Sequence, residues 1–401
     1  MVTVEEAERI IQSQTTHVGV EQVPFEQALG RVLAQDLRTD RALPPYDRVT
    51  MDGIAFRFNS FARGTRSFQM AGTQAAGDAP LEITQENACV EIMTGAALPA
   101  SVDTVVRYED LEIENGVATV LVEQVKKGQN VHRQGQDKQQ NEVVALTNQL
   151  VTPALVGMAA AVGATELPVK KLPKVLVIST GDELVEVHQT PAPYQIRRSN
   201  SYLVKAALQA YQVEPDLLHL PDDLATTKDQ LQRCLAQYEV ILLSGGISMG
   251  KFDYVPQVLE ELQVQKLFQK VRQKPGKPFW FGRHGNGALV FALPGNPVST
   301  FLCLNRYFLP WLHASLGLPA KQKVSAALTT DFRFPPDLTY FLQVRLQYSE
   351  QGQLLATPLE GNGSGDFSNL VEADAFLELP QERDRFEKGD VLRVWPFKAG
   401  W

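Results

Sequence analysis

Cysteine is scarce in this chain. Only Cys89, Cys234 and Cys303 occur in 401 residues, far apart and in no CxxC pair. That argues against a disulfide framework or a thiolate zinc site and points to a reducing cytosol. The six histidines show no HxH or HExxH spacing, which disfavours a histidine-bound transition metal. No apolar run has the length needed to span a bilayer, and the acidic opening Met1-Val2-Thr3-Val4-Glu5-Glu6 lacks the apolar core of a signal peptide. Positive charge is also in deficit: 38 Lys and Arg stand against 46 Asp and Glu, a formal net charge of −8. A general nucleic-acid or membrane-surface binder would need a basic excess. A small anionic ligand is still compatible, because local lysines and helix ends override the global sign.

What is present is an ordinary multidomain globular composition. At 44% hydrophobic and 21% charged residues, a chain of this length divides into two to four domains. Thr3 and Glu6 form a capping box for a helix over 3–14, and 26–37 reads as a second helix. Leu43-Pro44-Pro45-Tyr46 then breaks regular structure, and from about 47 to 150 short β-like runs alternate with Gly, Asn and Asp turns. Thr152-Pro153 opens a helix over 154–162, so the β region reads as an insertion into a helical domain. Beyond a linker at 170–173, unalternated apolar strands alternate with helices. That pattern means βαβ units and a parallel sheet buried on both faces. After Gly317-Leu318-Pro319 the texture is β again, a small barrel or sandwich.

Three glycine-rich loops follow strands of the α/β region: Ser244-Gly245-Gly246-Ile247-Ser248-Met249-Gly250 with Asp253, Lys274-Pro275-Gly276-Lys277-Pro278, and Leu293-Pro294-Gly295-Asn296-Pro297-Val298-Ser299. Ligands in such sheets bind at the carboxyl ends of the strands. Gly245 and Gly246 can form a backbone nest for an anion or a plain tight turn. Lys274 and Lys277 on a rigid Pro-Gly turn suit an oxyanion clamp, and Lys270, in the preceding strand-like run, is placed on the same face. Asn296 and Pro297 start a long helix whose N-terminus either holds an anion or is simply capped. Asp182 and Glu183 follow the first strand and could bind Mg²⁺ or only complement a helix dipole. Ser199-Asn200 beside Arg197 and Arg198, and Asp222-Asp223, are helix caps that could also face the cleft. Asp253 could bind metal or cap the next helix. In the β region, Asp52-Gly53 and Thr94-Gly95 carry polar candidates, although an Asp-Gly pair alone reads as a turn.

Taken in order, these motifs resemble the molybdopterin molybdenumtransferase family. The matching pieces are Thr50-Met51-Asp52-Gly53, Ile92-Met93-Thr94-Gly95-Ala96, Ser179-Thr180-Gly181-Asp182-Glu183-Leu184, Ser199-Asn200-Ser201, the three loops above, and the late Gly361-Asn362-Gly363-Ser364-Gly365-Asp366. The resemblance implies an α/β multidomain protein. It comprises a helical dimerisation domain (1–40 plus 140–170), an inserted β domain (41–139), an α/β molybdopterin-binding domain resembling molybdopterin adenylyltransferase (171–318), and a C-terminal β-barrel (319–401). It implies an elongated homodimer with a cleft between the α/β domain and barrel of one subunit and the β domain of the other. The implied reaction takes adenylylated molybdopterin and molybdate, with Mg²⁺, to molybdenum cofactor and AMP.

By that resemblance the functional set is Asp52, Thr94, Glu183, Asp223, Asp253, Lys270 and Lys274, with Asp137 a weaker member. Asp182, Glu183, Asp223 and Asp253 are the Mg²⁺ candidates. Ser199, Asn200, Gly245, Gly246, Ser248, Gly250, Lys277, Pro294, Gly295, Asn296 and Pro297 line the pterin site. The family generally has Asn-Ser-Ala before Met-Asp-Gly and Tyr-Ala after it. Here Arg48-Val49-Thr50 and Ile54-Ala55 stand instead, losing a small hydroxyl and adding a cation. Molybdopterin adenylyltransferase and other cofactor-biosynthesis proteins are the implied partners. The alternatives are adenylylation of molybdopterin by ATP and a non-catalytic molybdopterin-binding scaffold.

Overall fold

A computed structural model describes residues 1–16, 18–247, 254–361 and 363–398. Ser248, Gly250 and Asp253 therefore lie outside the described residues. The centre of the molecule is a six-stranded sheet. Its order is Asp216–Leu220, Val175–Thr180, Val240–Ser244, Leu289–Leu293, Trp280–Arg283 and Gln265–Gln269. The first four strands are parallel. Trp280–Arg283 runs antiparallel to both of its neighbours, Leu289–Leu293 and Gln265–Gln269, a departure from the all-parallel sheet expected. The connection from Trp280–Arg283 to Leu289–Leu293 is only a tight turn closed by His284 N–H to Ala288 O at 2.9 Å, too short for a crossover helix.

Every residue of Val175–Thr180, Val240–Ser244 and Leu289–Leu293 is buried, and alternate side chains feed two cores. Val175, Val177, Leu242 and Phe291 pack with Val204, Leu208, Leu302 and Trp311 on one face. Leu176, Ile178, Ile241 and Val290 pack with Leu231, Leu235, Val258 and Leu259 on the other. Period-two strands covered by helices on both sides explain why the sequence runs read as continuously apolar.

The N-terminal helix Val4–Gln12 has the expected capping box, Glu6 N–H to Thr3 Oγ1 at 3.1 Å and Thr3 N–H to Glu6 Oε2 at 2.9 Å. Its Val4, Ala7 and Ile11 join the first of these two cores, so the helix packs on the α/β unit and not with residues 140–170. The helix expected over 26–37 is absent. A single 3₁₀ turn, Phe25–Gln27, ends before Gly30 at φ +77°, and Val32 and Leu33 make β-bridges to Leu150 and Val169. What surrounds the insertion is thus a mixed unit. It contains an antiparallel ribbon of Val20–Pro24 with Glu166–Lys170 and the helix Pro153–Ala161, capped by Thr152.

The inserted β domain is a six-stranded sheet in the order Thr104–Arg107, Gly53–Phe56, Ala88–Ile92, Ser67–Gln74, Val117–Val120, Leu111–Glu114. The C-terminal region closes on itself. Thr339–Tyr348, Leu354–Pro358, Val324–Leu328, Val391–Pro396 and Ala375–Leu379 pair in sequence, and Ala375–Leu379 pairs back to Thr339–Tyr348. This is a five-stranded barrel without open edges. Gln273–Lys274, from the α/β unit, adds to it as a short parallel strand beside Thr339 and Tyr340.

Candidate functional site

A cavity of about 520 Å³ opens where strands Val175–Thr180 and Val240–Ser244 end. The strand order reverses there: Asp216–Leu220 lies on one side of the first-formed strand and Val240–Ser244 on the other. Doubly wound sheets place their ligands at such a switch point, and the volume suits a small-molecule site, roughly 300–1,000 Å³. Thr180, Glu183, Gly245, Gly246, Lys274, Lys277, Gly295 and Asn296 are among its walls, and Leu338 and Ser364 close it from the barrel side.

Local structure explains these positions. Gly245 and Gly246 have φ +99° and +65°, and a Cβ on either would meet Thr180 within 3 Å. The chain can fold back against the first strand only with glycine there. Asn200, at the start of helix Asn200–Gln209, stands behind the loops and ties them together. Its Nδ2 donates to Ser244 Oγ at 2.8 Å and Gly295 O at 2.7 Å, with Thr300 Oγ1 alongside at 3.2 Å. Asn296 donates from Nδ2 to Ser364 Oγ at 2.7 Å, joining the long helix over 297–315 to the barrel. That helix points its positive dipole end toward the cavity. Thr180 Oγ1 is a buried hydroxyl with no partner among the described residues, and a buried polar atom on a cavity wall is where a ligand supplies the missing bond.

The charges are unevenly distributed. Lys274 Nζ lies 5.5 Å and 5.7 Å from the ring centroids of Phe334 and Tyr340 on the barrel. Lys277 shares the wall. Glu183 folds its carboxylate over Gly181, into the space that a Cβ there would occupy. Asp222 is a second carboxylate on the wall. Asp182 instead accepts the Asp222 N–H at 3.1 Å. Asp223 caps helix Leu224–Gln237, accepting the Thr226 N–H at 2.8 Å, and hydrogen bonding to Thr226 holds its carboxyl below the usual range. Lys270, at φ +67°, holds the N-terminal segment through its backbone, its carbonyl accepting from Val2 N–H at 3.0 Å, and it is not among the residues lining the cavity. Ser199 and Pro297 sit at helix starts outside the lining.

An annex of about 40 Å³ opens past Lys274 and Pro275, between Tyr340, Gln343, Ser364 and Asn369. Gln343 Oε1 and Asn369 Nδ2 are buried there without partners among the described residues. Composition and motif spacing gave no sign of Gln343, Asn369, Gln273 or Leu338. Their placement depends on the barrel meeting the α/β unit, which no local pattern encodes.

Asp52 and Thr94 form a separate polar site on the β insert. Thr94 N–H donates to Asp52 Oδ1 at 2.6 Å, and this bond, aided by the Thr94 hydroxyl, holds the exposed Asp52 carboxyl below the ordinary range. Tyr108 supports the same loop, its N–H reaching Asp52 O at 3.1 Å and its hydroxyl Glu91 Oε1 at 2.8 Å. Burial, then the Glu91 bond, pushes the Tyr108 phenol up to about 12. Asp137 belongs to a third group. Arg48 Nη2 is 3.2 Å from His132 Nδ1, and His132 Nε2 is 2.9 Å from Asp137 Oδ1. A guanidinium only donates, so Nδ1 accepts and Nε2 carries the proton to Asp137. The unusual Arg48 thus anchors the loop through His132.

Comparisons with known proteins cover the whole chain. Family profiles described as MoeA N-terminal region (domain I and II), probable molybdopterin binding domain, and MoeA C-terminal region (domain IV) match residues 2–163, 176–314 and 325–397. A protein of Synechocystis sp. named molybdopterin molybdenumtransferase is 39% identical over 402 residues, covering 100% of both chains. One of the same name from Bacillus subtilis is 31% identical over 98% of this chain and 93% of its own. Among solved structures, the molybdopterin biosynthesis MoeA protein from Pyrococcus horikoshii OT3 superimposes with a TM-score of 0.83 at 28% identity, covering 99% of this chain and 100% of that one.

Proposed function

The chain belongs to the molybdopterin molybdenumtransferase family and is a molybdenum-transferring enzyme, and from that premise we propose that it inserts molybdate into adenylylated molybdopterin and releases AMP. The observation that carries this reading is the meeting of three glycine turns, Lys274, Lys277 and a helix N-terminus on one cavity at the switch point of the sheet. Substrate and molybdate are both anions. Bringing them together needs fixed positive charge and backbone N–H groups in a site of reduced dielectric.

The larger cavity takes the pyrophosphate-bearing pterin. The annex is too small for a bicyclic ring but is on the scale of a tetrahedral oxyanion, and Lys274 and Asn369 Nδ2 supply a cation and a donor there. Molybdate is assigned to it.

Mg²⁺ fits this donor set. No group of three or more His, Cys, Asp or Glu suited to a metal occurs among the described residues. A Mg²⁺ that works on phosphates, however, takes one or two carboxylates and fills its shell with phosphate oxygens and water. Among the described residues, Glu183 and Asp222 are the two carboxylates on the cavity wall. When bound, the ion neutralises charge on phosphoryl oxygens.

In one chain Asp52 and Thr94 are not among the residues lining the cavity. A homodimer that brings the β insert of one subunit to the α/β unit of the other reconciles both sets of residues. Exposed Val20, Leu29, Leu146 and Leu150 on the mixed unit, each 47–55% accessible, provide apolar surface for such a pairing. Three unbridged buried cysteines agree with a reducing compartment, and no helix among the described residues is long and apolar enough to cross a membrane. Molybdopterin adenylyltransferase would supply the substrate. The test is AMP release on mixing the protein with adenylylated molybdopterin, molybdate and Mg²⁺ without ATP. No AMP above background would refute the reading.

A further inference from the structure

We infer that Tyr307 is a positioning residue for the lysine turn, fixing through the buried amide of Gln273 the segment that presents Lys274 and Lys277 to the cavity. This rests on the proposed role of those lysines in holding anions. Tyr307 is 1% exposed and lies in Leu304–Phe308, a one-turn π-helical insertion in the long helix. π-Insertions recur at functional sites because they redirect side chains from an otherwise regular helix. Here consecutive residues reach different elements. Arg306 turns to Glu8 at 2.7 Å and to the ring of Trp395, while Tyr307 donates its hydroxyl to Gln273 Oε1.

Gln273 is fully buried and immediately precedes Lys274. With Oε1 held by Tyr307, its Nε2 faces the Gly276 carbonyl at 3.3 Å and Cys303 Sγ at 3.6 Å. The fit at the turn is close. Gly276 has φ +85°, and a Cβ there would lie 2.7 Å from Gln273 Nε2 and 2.9 Å from Cys303 Sγ. Beyond the turn, the Phe279 ring packs 5.3 Å from that of Tyr307. One tyrosine therefore grips both ends of the lysine segment, by hydroxyl before it and by ring after it. Burial pushes the phenol well above its ordinary range, so it stays a protonated donor at working pH and has no proton to exchange with substrate.

Removing the hydroxyl leaves a buried amide oxygen unpaired and releases the amide that braces Gly276. Tyr307→Phe keeps the ring, and so the packing. In the AMP-release assay it raises KM for adenylylated molybdopterin by about tenfold, the order expected for one buried hydrogen bond. The change in kcat is small, and the pH profile keeps its shape. Gln273→Leu raises KM similarly, and the double variant is no worse than Gln273→Leu alone, because the two act as a unit. A lowered melting temperature with unchanged KM in Tyr307→Phe, or additive effects in the double variant, overturns the inference. Lys274→Ala separates the two ideas. If it leaves KM unchanged, the anion-holding role fails. If it raises KM while Tyr307→Phe does not, only the positioning role fails.

Discussion

The exposed Asp52 carboxylate is further stabilised by the backbone N–H of Thr94, which donates to it at 2.6 Å. A carboxyl whose native pKa is depressed contributes stability that is present above its unfolded pKa, about 3.9, and is lost as pH falls through the lower native value. Asp52→Asn therefore lowers the urea midpoint at pH 7, and that difference shrinks and vanishes as melts are repeated toward pH 2. Lys274 is expected to act on substrate binding as well as on turnover, because it holds the anions in both states. Lys274→Ala lowers AMP release by about 10²–10³-fold, the usual loss for a preorganised charge donor, with an unchanged circular dichroism spectrum. Asp222→Asn raises the Mg²⁺ concentration for half-maximal activity, measured by titration. Lys274, Lys277 and Glu183 were legible in the sequence because lysines on a Pro-Gly turn and a carboxylate after a strand have recognisable spacing. Gln273 was not, since a single glutamine becomes informative only once Tyr307 is seen against it.

Among the elements, helix ends were read best, because capping is local. Thr3, Thr152 and Asp223 all accept the N–H bonds that their positions suggest. Asp223→Ala lowers the urea midpoint and Asp223→Asn lowers it much less, because Asn caps almost as well as Asp. The helix expected over 26–37 failed for a non-local reason. Its apolar Val32 and Leu33 have helix-compatible spacing, yet the ribbon strand Glu166–Lys170 and residue Leu150 compete for the same backbone. A long helix over 297–316 was expected as one element. Its π insertion at Leu304–Phe308 has no sequence signature; it accompanies Arg306 reaching the partly buried Glu8 and Tyr307 reaching the buried Gln273.

At the scale of the whole molecule, the order of motifs carried the family and the sequence texture carried the succession of units. Contacts between units were not legible: the first helix could not be assigned to the α/β core, nor the barrel to the cavity wall. The proposed homodimer makes a quantitative claim. If Asp52 of one subunit serves the cavity of the other, a reassorted equal mixture of Asp52→Ala and Lys274→Ala proteins recovers about a quarter of wild-type AMP release. Half the dimers are then mixed, and each holds one intact site. A cleft built within one chain recovers none. The barrel also has a bearing on how such proteins can be recombined. Gln273–Lys274 belongs by sequence to the α/β unit but by backbone pairing to the barrel. A chimaera that exchanges barrels at Gly317 separates that strand from the Thr339–Tyr340 edge with which it pairs. The heritable module is therefore the barrel together with this two-residue strand about forty positions upstream, and crossover libraries that respect only domain boundaries will lose the lysine turn first.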